Sequence, residues 1–360
     1  MYNKNELALI WLNDFEPINI KKKHLLLEKV QNASEIFDMV INNYSLLKQI
    51  LGDKNAELLK ENSNNEYIQG ILTKMLANKV QAVTLESEMY PCQLKEIFCP
   101  PICLYCKGNL QLLNSNLLGV VGTRRPTRYG KDITRQFVRE LVYSGFGIVS
   151  GMAKGIDTVA HSVALEEEAQ TIAVVACGLD IIYPAENREL FNNLVENGLI
   201  ISEYPIGFAP LTFRFPERNR IISGLSRGIL VTEAGKNSGS LITVNCALEQ
   251  NRNVYIVPGN INSPQSSGCN EKLMQLQGAM VICANDVLAD FNLKGREAKP
   301  TSMQMDFLET QIVEFLRIES KHFEEILQFC DIEVNKLIPL LMKMEILGII
   351  KKLPSNYYSL

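Results

Sequence analysis

Apolar positions along this chain change their period twice, and the changes mark out its parts. Over residues 1–76 they fall at helical spacing in short stretches, at Leu7 to Leu12, Lys22 to Val30, Ala33 to Met39, Ser45 to Ile50 and Glu66 to Leu76. Asparagines at Asn42-Asn43 and Asn62 to Asn65 mark the turns between them. That pattern predicts a small helical domain. Between Val80 and Asn109 the text is mixed, with a strand at Val80 to Leu85, a turn at Tyr90-Pro91 and a second strand at Ile102 to Cys106. From Leu117 onward short apolar runs alternate with helical stretches. The runs are Leu117 to Val121, Phe146 to Ser150, Thr171 to Ala176, Leu199 to Ser202, Ile229 to Thr232, Val254 to Val257 and Met280 to Ile282. The helices between them are spaced on Ile133, Phe137, Val138 and Leu141, then cover Ile156 to Leu165, Glu186 to Val195, Pro216 to Gly224 and Ser238 to Gln250. Such alternation predicts an α/β domain over residues 77–291, built on a doubly wound, largely parallel sheet with helices on both faces.

Beyond Phe291 the chain turns polar over residues 292–305, with Gly295 and Pro300, and reads as a linker. Residues 306–360 predict three helices, at Leu308 to Arg317, Phe323 to Phe329 and Val334 to Leu347, and a terminal hairpin at Ile349 to Lys352 and Tyr357 to Leu360. This is a winged-helix-like pattern. A helix that reads DNA gathers base-edge donors and phosphate-binding charges on one face. The third helix has only Lys336 and Lys343, beside Glu333 and Glu345, so a protein-interaction or regulatory role is expected of this domain.

In doubly wound sheets ligands bind beyond the carboxyl ends of the strands. Two loops there follow one another closely. Gly122-Thr123-Arg124-Arg125-Pro126-Thr127 leaves the first strand, and a second turn leaves Ser150 through Gly151-Met152-Ala153-Lys154-Gly155. Each joins a strand end to a helix start, where unpaired N–H groups and the helix dipole favour an anion. A third turn, Glu233 to Ser240, supplies Ser238, Gly239 and Ser240 at another helix start. Between Glu203 and Arg220 lies the longest loop of the domain. Its Phe213, Arg214, Phe215, Arg218, Asn219 and Arg220 interleave aromatics with arginines, a composition suited to a single nucleic-acid strand, whose phosphates and base faces are both exposed.

Charge sharpens this picture. The net charge of -4 argues against a generic nucleic-acid binder, yet 11 of the 13 arginines lie between Leu117 and Phe291 and none precedes residue 117. Arginine is thus concentrated where its planar fork suits phosphate. A chain of 360 residues suggests several domains. No apolar run reaches the roughly 18 residues of a membrane span, and residues 1–10 lack the pattern of a secretory signal. A soluble, cytoplasmic protein is expected, its nine cysteines reduced. Cys92, Cys99, Cys103 and Cys106 raise the question of zinc, but Cys103 and Cys106 lie in an apparent strand, whose alternation sends them to opposite faces. No metal and no cofactor are expected. The G-x-G-x-x-G spacing of an oxidoreductase and the Walker loop of an ATPase are both missing. Asp157, His161 and Glu233 keep open the alternative of a nucleotide-binding or nucleotide-hydrolysing enzyme. Asp157 and His161, four apart on one helix, are expected to cap and pin it instead, and no catalytic turnover is expected.

The segments YPCQLKEI, GVVGTRRPTRYG, IVSGMAKGIDTVAHSVAL, FPERNRIISGLS, EAGKNSGSLIT and VPGNI resemble the DprA/Smf family, the DNA-processing proteins of bacterial transformation. The resemblance covers about Tyr90 to Phe291. It implies an extended Rossmann-like domain that binds single-stranded DNA, commonly as a homodimer, protects the incoming strand and helps load the RecA recombinase onto it. It also implies that Gly122-Thr123-Arg124 contacts DNA phosphates and that the Phe213 to Arg220 segment forms a neighbouring part of the DNA groove. The amino-terminal helices resemble the family's sterile-alpha-motif-like domain. Where relatives often carry a glycine-rich hairpin this chain has Glu16-Pro17-Ile18-Asn19, which does not support independent DNA binding by that domain.

Overall fold

The run Leu117–Val121 is buried at every residue, which an apolar strand achieves only with layers packed on both of its faces. The computed structural model describes residues 2–293, 306–317, 319–346 and 348–360, and in it this run is an interior strand of a nine-stranded sheet. Six helices come first: α1 (Lys4–Asn13), α2 (Ile20–Leu27), α3 (Glu35–Asn42), α4 (Tyr44–Leu51), α5 (Asp53–Glu61) and α6 (Asn65–Ala77). Then follow β1 (Gln81–Thr84), α7 (Cys92–Lys95), β2 (Cys103–Gly108), β3 (Leu117–Val121), α8 (Arg128–Tyr143), β4 (Gly147–Ser150), α9 (Ile156–Glu166), β5 (Thr171–Val175), α10 (Arg188–Asn197) and β6 (Leu199–Ser202). The unit closes with α11 (Arg214–Leu225), β7 (Gly228–Val231), α12 (Ser240–Glu249), β8 (Asn253–Ile256), α13 (Ser267–Met274), β9 (Ala279–Met280) and α14 (Ala284–Ala289).

The strand order is β1-β2-β6-β5-β4-β3-β7-β8-β9. From β6 to β9 every pairing is parallel, whereas β1 on β2 and β2 on β6 are antiparallel. The mixed stretch after residue 80 therefore supplies the edge of the same sheet. The chain winds outward from β3 through β6, then crosses back to place β7 on the other side of β3. Gly119 consequently pairs with both Val149 and Ile229. This reversal opens a crevice at the carboxyl ends of β3, β4 and β7.

One face of the sheet packs on Ile221, Ile222 and Leu225 of α11 and on Val244 and Ala247 of α12. The opposite face packs on Phe137, Val138 and Leu141 of α8 and on Val159, Ala160 and Val163 of α9. Cys106 belongs to the first of these cores, while Cys103 belongs to a third, with Ile10 of α1, Met75 of α6 and Phe191 of α10. The two thiols thus face apart, as the strand setting predicts. The amino-terminal helices pack around Trp11, whose ring lies against Phe37 and Phe15 and whose Nε1 donates to the Asn62 carbonyl at 2.8 Å. Helices α1 and α6 also cover β1 and β2, so these helices and the sheet form one compact unit. Helix α5, absent from the sequence reading, buries only Ala56 and Leu59. Helices α13 and α14 were equally faint in the apolar pattern.

Residues 306–360 belong to a second unit, with α15 (Phe307–Leu316), β10 (Lys321–His322), α16 (Phe323–Cys330), α17 (Val334–Ile346), β11 (Lys351–Leu353) and β12 (Tyr357–Ser359). Its core gathers Ile312, Leu316, Ile326, Leu337, Leu341 and Tyr358. The expected hairpin is present, and the short β10 extends it to a three-stranded antiparallel sheet. Three helices and that sheet make a winged-helix arrangement. Residues 294–305, most of the expected linker, lie outside the described residues.

The packing of α2 on the sheet unit has a measurable electrostatic signature. Lys23 is buried, and its Nζ donates to the Asn13 carbonyl at 2.9 Å and to Asn13 Oδ1 at 3.3 Å. Burial pulls its pKa from the ordinary 10.5 down to about 8, with Glu203 and Asp14 opposing the shift. Between those two values the unfolded chain binds more protons than the folded one, so the Lys23 contribution to stability rises with pH. The unfolding free energy of the parent minus that of Lys23→Met should therefore climb from about pH 8 to about pH 10, by at most ~1.4 kcal/mol per pH unit. Denaturant titrations of both proteins at matched pH measure it, and a flat or falling difference contradicts this placement of the charge.

Candidate functional site

Three loops meet in the crevice, and the first is tied backbone to backbone to each of the other two. Gly122 leaves β3 where a Cβ would stand 2.5 Å from Ile156 Cγ1 and 2.8 Å from the Glu233 carbonyl oxygen. Gly155 has φ +88, and a Cβ there would come within 2.3 Å of the Thr123 carbonyl oxygen, so only glycine permits this approach. The Thr123 N–H donates to the Glu233 carbonyl at 2.8 Å, and the Ile156 N–H donates to the Thr123 carbonyl at 3.2 Å. Thr127 caps α8 by accepting from the Gly130 N–H, while its own N–H and hydroxyl donate to the Glu233 carboxylate at 2.8 and 2.7 Å. Glu233 thus holds the first loop in place.

The second loop is held from below. Asp157 Oδ2 accepts from the N–H groups of Gly151 at 3.1 Å and Ala153 at 3.3 Å. Burial raises the Asp157 pKa, and nearby Arg218 and those two N–H groups oppose the rise. Arg218 is 4% exposed and donates to the Gly151 carbonyl at 2.8 Å, to the Val174 carbonyl, and from Nε to Asn219 Oδ1 at 3.2 Å. A Cβ on Gly151 would meet this guanidinium at 2.7 Å. His161, fully buried behind the loop, has Nδ1 2.7 Å from the Thr171 hydroxyl, and burial lowers its pKa to about 3.

Above these groups lies a cleft of about 570 Å³. One wall is Gly122, Thr123, Arg124 and Arg125; a second is Phe215, Arg218 and Asn219 of α11; the third is Asn237, Ser238, Gly239 and Ser240 at the start of α12. The Asn219 side-chain amide donates to the Gly239 carbonyl at 3.3 Å, tying the second wall to the third. A smaller recess of about 60 Å³ opens between Gly151, Lys154, Tyr183 and Phe215. The half-buried Phe215 ring has Arg124 at 5.5 Å, Arg218 at 6.0 Å and the Tyr183 ring at 5.4 Å. Arginines and aromatic rings are therefore interleaved in three dimensions as they are in sequence.

Some of the expected residues stand elsewhere. The expected helix from Pro216 is present, but it begins two residues earlier, so that Arg214 and Phe215 belong to α11 and not to the loop before it. Arg214 does not face the cleft. Its buried guanidinium pairs with Glu16, donates to the Ala209 carbonyl and lies 4.9 Å from the Tyr204 ring centroid. Arg220 gives one nitrogen to both oxygens of Glu203, at 2.6 and 2.7 Å. Phe213 is exposed but lies outside the cleft wall. Ser150 is buried and donates to the Val120 carbonyl at 2.6 Å, Gly155 lies behind the wall as a packing glycine, and Lys154 is ion-paired with Glu186. The two arginines are diverted for different reasons: Arg220 lies on the side of α11 away from 215, 218 and 219, whereas Arg214, at the first position of the helix, is drawn to Glu16 and the Ala209 carbonyl. Sequence reading missed Tyr183 and Asn237. Tyr183, an aromatic before a proline beyond a strand end, carried a readable signal. Among the described residues, no three His, Cys, Asp or Glu side chains are gathered as a metal would require.

Comparison with known proteins agrees with this architecture. Residues 81–292 match the family model of the DNA recombination-mediator protein A. The chain is 37% identical over 285 residues to the DNA processing protein DprA of Streptococcus pneumoniae, covering 78% of this chain and 99% of that one. It is 41% identical over 213 residues to the DNA processing protein DprA of Bacillus subtilis, covering 59% and 71%. The crystal structure of the Streptococcus pneumoniae protein superposes with a TM-score of 0.69 at 33% identity, over 82% of this chain and 99% of that one. DNA processing protein A of Helicobacter pylori, whose structure was described for its single-stranded DNA binding mode, gives 0.54 at 34% identity over 60% and 97%. With more than half of its length inside that family model and a relative matched nearly end to end, the chain belongs to the DNA recombination-mediator protein A family, the DprA/Smf proteins.

Proposed function

We propose that this chain binds single-stranded DNA along the cleft, with phosphates held by Gly122, Thr123, Arg124, Arg125 and the Ser238 to Ser240 turn, and with Phe215 as a stacking face. The observation that carries the reading is the convergence of two glycine-bearing loops, a buried Arg218 and the Arg124–Phe215 pair in one crevice. Helix-start N–H groups and arginines suit phosphate, and an aromatic ring recessed among them reaches base faces that only an unpaired strand offers. The single-stranded DNA binding named for the Helicobacter pylori relative supports the same reading. In this role the protein is a binder without turnover that protects an incoming strand and hands it to a RecA-type recombinase.

The reading includes a homodimer. Met274, Leu276, Met280 and Ile282 are exposed around β9, the edge strand of the large sheet, with Leu276 at 90%. An uncovered edge flanked by apolar side chains is a ready surface for a second copy.

Two predictions follow from these surfaces. If about 4 to 6 phosphates are neutralised, the logarithm of affinity falls with that of salt at a slope of about -3 to -4. Arg124→Ala should weaken binding and flatten the slope by about 0.7, whereas Phe215→Ala should cost about 1–3 kcal/mol with the slope unchanged. Arg139→Ala is the control, because Arg139 is paired with Glu167 at 2.6 Å away from the cleft. Fluorescence titrations at several salt concentrations decide, and Arg124→Ala binding as tightly as the parent throughout removes the proposed site. For the second surface, Leu276→Arg should convert a dimer to a monomer in light scattering at unchanged helix content; a dimer that persists moves the interface elsewhere.

A further inference from the structure

Helix α11 presents two faces to two different parts of the molecule. Phe215, Arg218, Asn219 and Ile222 share one arc and line the cleft, Glu217 and Arg220 lie on the other side, and the Arg214 side chain, at the helix start, leaves the cleft for Glu16 and the Ala209 carbonyl. Arg214 and Arg220 are both held from the amino-terminal helices. Glu16, in the turn between α1 and α2, forms an ion pair with Arg214, whose side chain is 2% exposed. Arg220 is bound to Glu203, and the Glu203 carbonyl accepts from the side-chain amide of Asn13 at 2.8 Å, itself engaged by Lys23. Both attachments come from residues 13–23.

The Arg214 link is the more demanding of the two. Arg214 is the first residue of α11, where the helix dipole disfavours a cation. A cation buried there persists only with a partner, and removing one member of such a pair leaves the other uncompensated. Among the described residues Glu16 is the carboxylate that pairs with it. Without Glu16, the first turn of α11 has to open to hydrate Arg214, and that turn carries Phe215 and leads directly into Arg218.

We infer that Glu16 is a positioning residue for the strand-binding cleft, through which the amino-terminal helices set the cleft wall without touching the ligand. The inference rests on the reading of the cleft as a single-strand site. A merely acidic neighbour of that site would repel phosphate, so its neutralisation would tighten binding. A positioning residue has the opposite sign.

The test compares the full-length parent, Glu16→Gln and the double variant Glu16→Gln/Arg214→Met, which removes the buried charge together with its partner. Hydrogen exchange of the amides over residues 213–220, without DNA, should be about tenfold faster in Glu16→Gln and return toward the parent in the double variant. Affinity for a thymidine oligomer of about thirty nucleotides should fall about fivefold to tenfold in Glu16→Gln, with the salt slope unchanged because no phosphate contact is lost, and recover to within about threefold in the double variant. Binding by Glu16→Gln as tight as the parent or tighter overturns the inference, as does a double variant no better than the single one. If the parent does not bind the oligomer, the single-strand reading fails on its own and the exchange measurement decides the positioning role: unchanged exchange in Glu16→Gln overturns it, and faster exchange restored in the double variant upholds it.

Discussion

A guanidinium buried at the floor of the cleft sets the geometry around it. Among the described residues no carboxylate forms an ion pair with Arg218, and its donors go instead to the carbonyls of Gly151 and Val174, at the ends of β4 and β5. Hydrogen bonds to a charged group contribute about 1.5–3 kcal/mol each, which offsets part of a burial cost of several kcal/mol. Asp157 offsets a further part, stabilising the cation from nearby while it grips the N–H groups of Gly151 and Ala153, though burial still holds the Arg218 pKa below its ordinary value. The Gly151 peptide is thereby held on its carbonyl side by a cation and on its N–H side by an anion. No side chain fits between them. The charges exposed to the cleft itself are those of Arg124 and Arg125.

The concentration of arginine in the middle of the sequence therefore has two causes. Arg124 and Arg125 are exposed at the mouth of the cleft, whereas Arg214, Arg218 and Arg220 hold α11 to its surroundings. Both uses draw on the same property, a planar fork with five donors that binds carbonyls and carboxylates as well as it binds phosphate. Composition alone could not divide them. The partner of Arg214 lies 198 residues away in sequence, and a loop dense in arginine and phenylalanine looks the same whether its charges meet a ligand or an earlier part of the chain.

The legible parts of the fold were those that bury continuous apolar runs. Leu117 to Val121 and Leu199 to Ser202 are strands at the expected bounds because every residue in them is inside. The loops at their ends were legible because glycine at a strand-to-helix turn implies close backbone approach, which Gly122 and Gly155 show directly. What escaped was short or supported mainly by tertiary contact. Helix α5 buries two side chains and α13 buries only Gly268 and Cys269, while β9, two exposed residues, starts one residue before the expected run Met280 to Ile282. The antiparallel edge was predicted as strands but not as part of the sheet, since nothing in a four-residue apolar run specifies its neighbour. Tyr183 carried a signal in its Tyr-Pro pair beyond a strand end, but its place beside Phe215 is a tertiary contact that this pair does not specify.

The groups that looked most capable of chemistry are the ones the fold has already engaged. Glu233 accepts two hydrogen bonds from Thr127, and Asp157 two from the second loop. His161 is sealed away from solvent, and a pKa of about 3 makes it neutral and very weakly basic near pH 7. An effective general base titrates near its working pH and reaches the proton it removes; His161 does neither. Its depressed value is driven first by burial and then by Arg218, the same cation that fixes the cleft floor. The cation at the cleft floor thus also helps keep this imidazole unprotonated. The exposed walls are left with N–H groups, hydroxyls, guanidinium groups and ring faces, the groups on which the proposed single-strand reading rests.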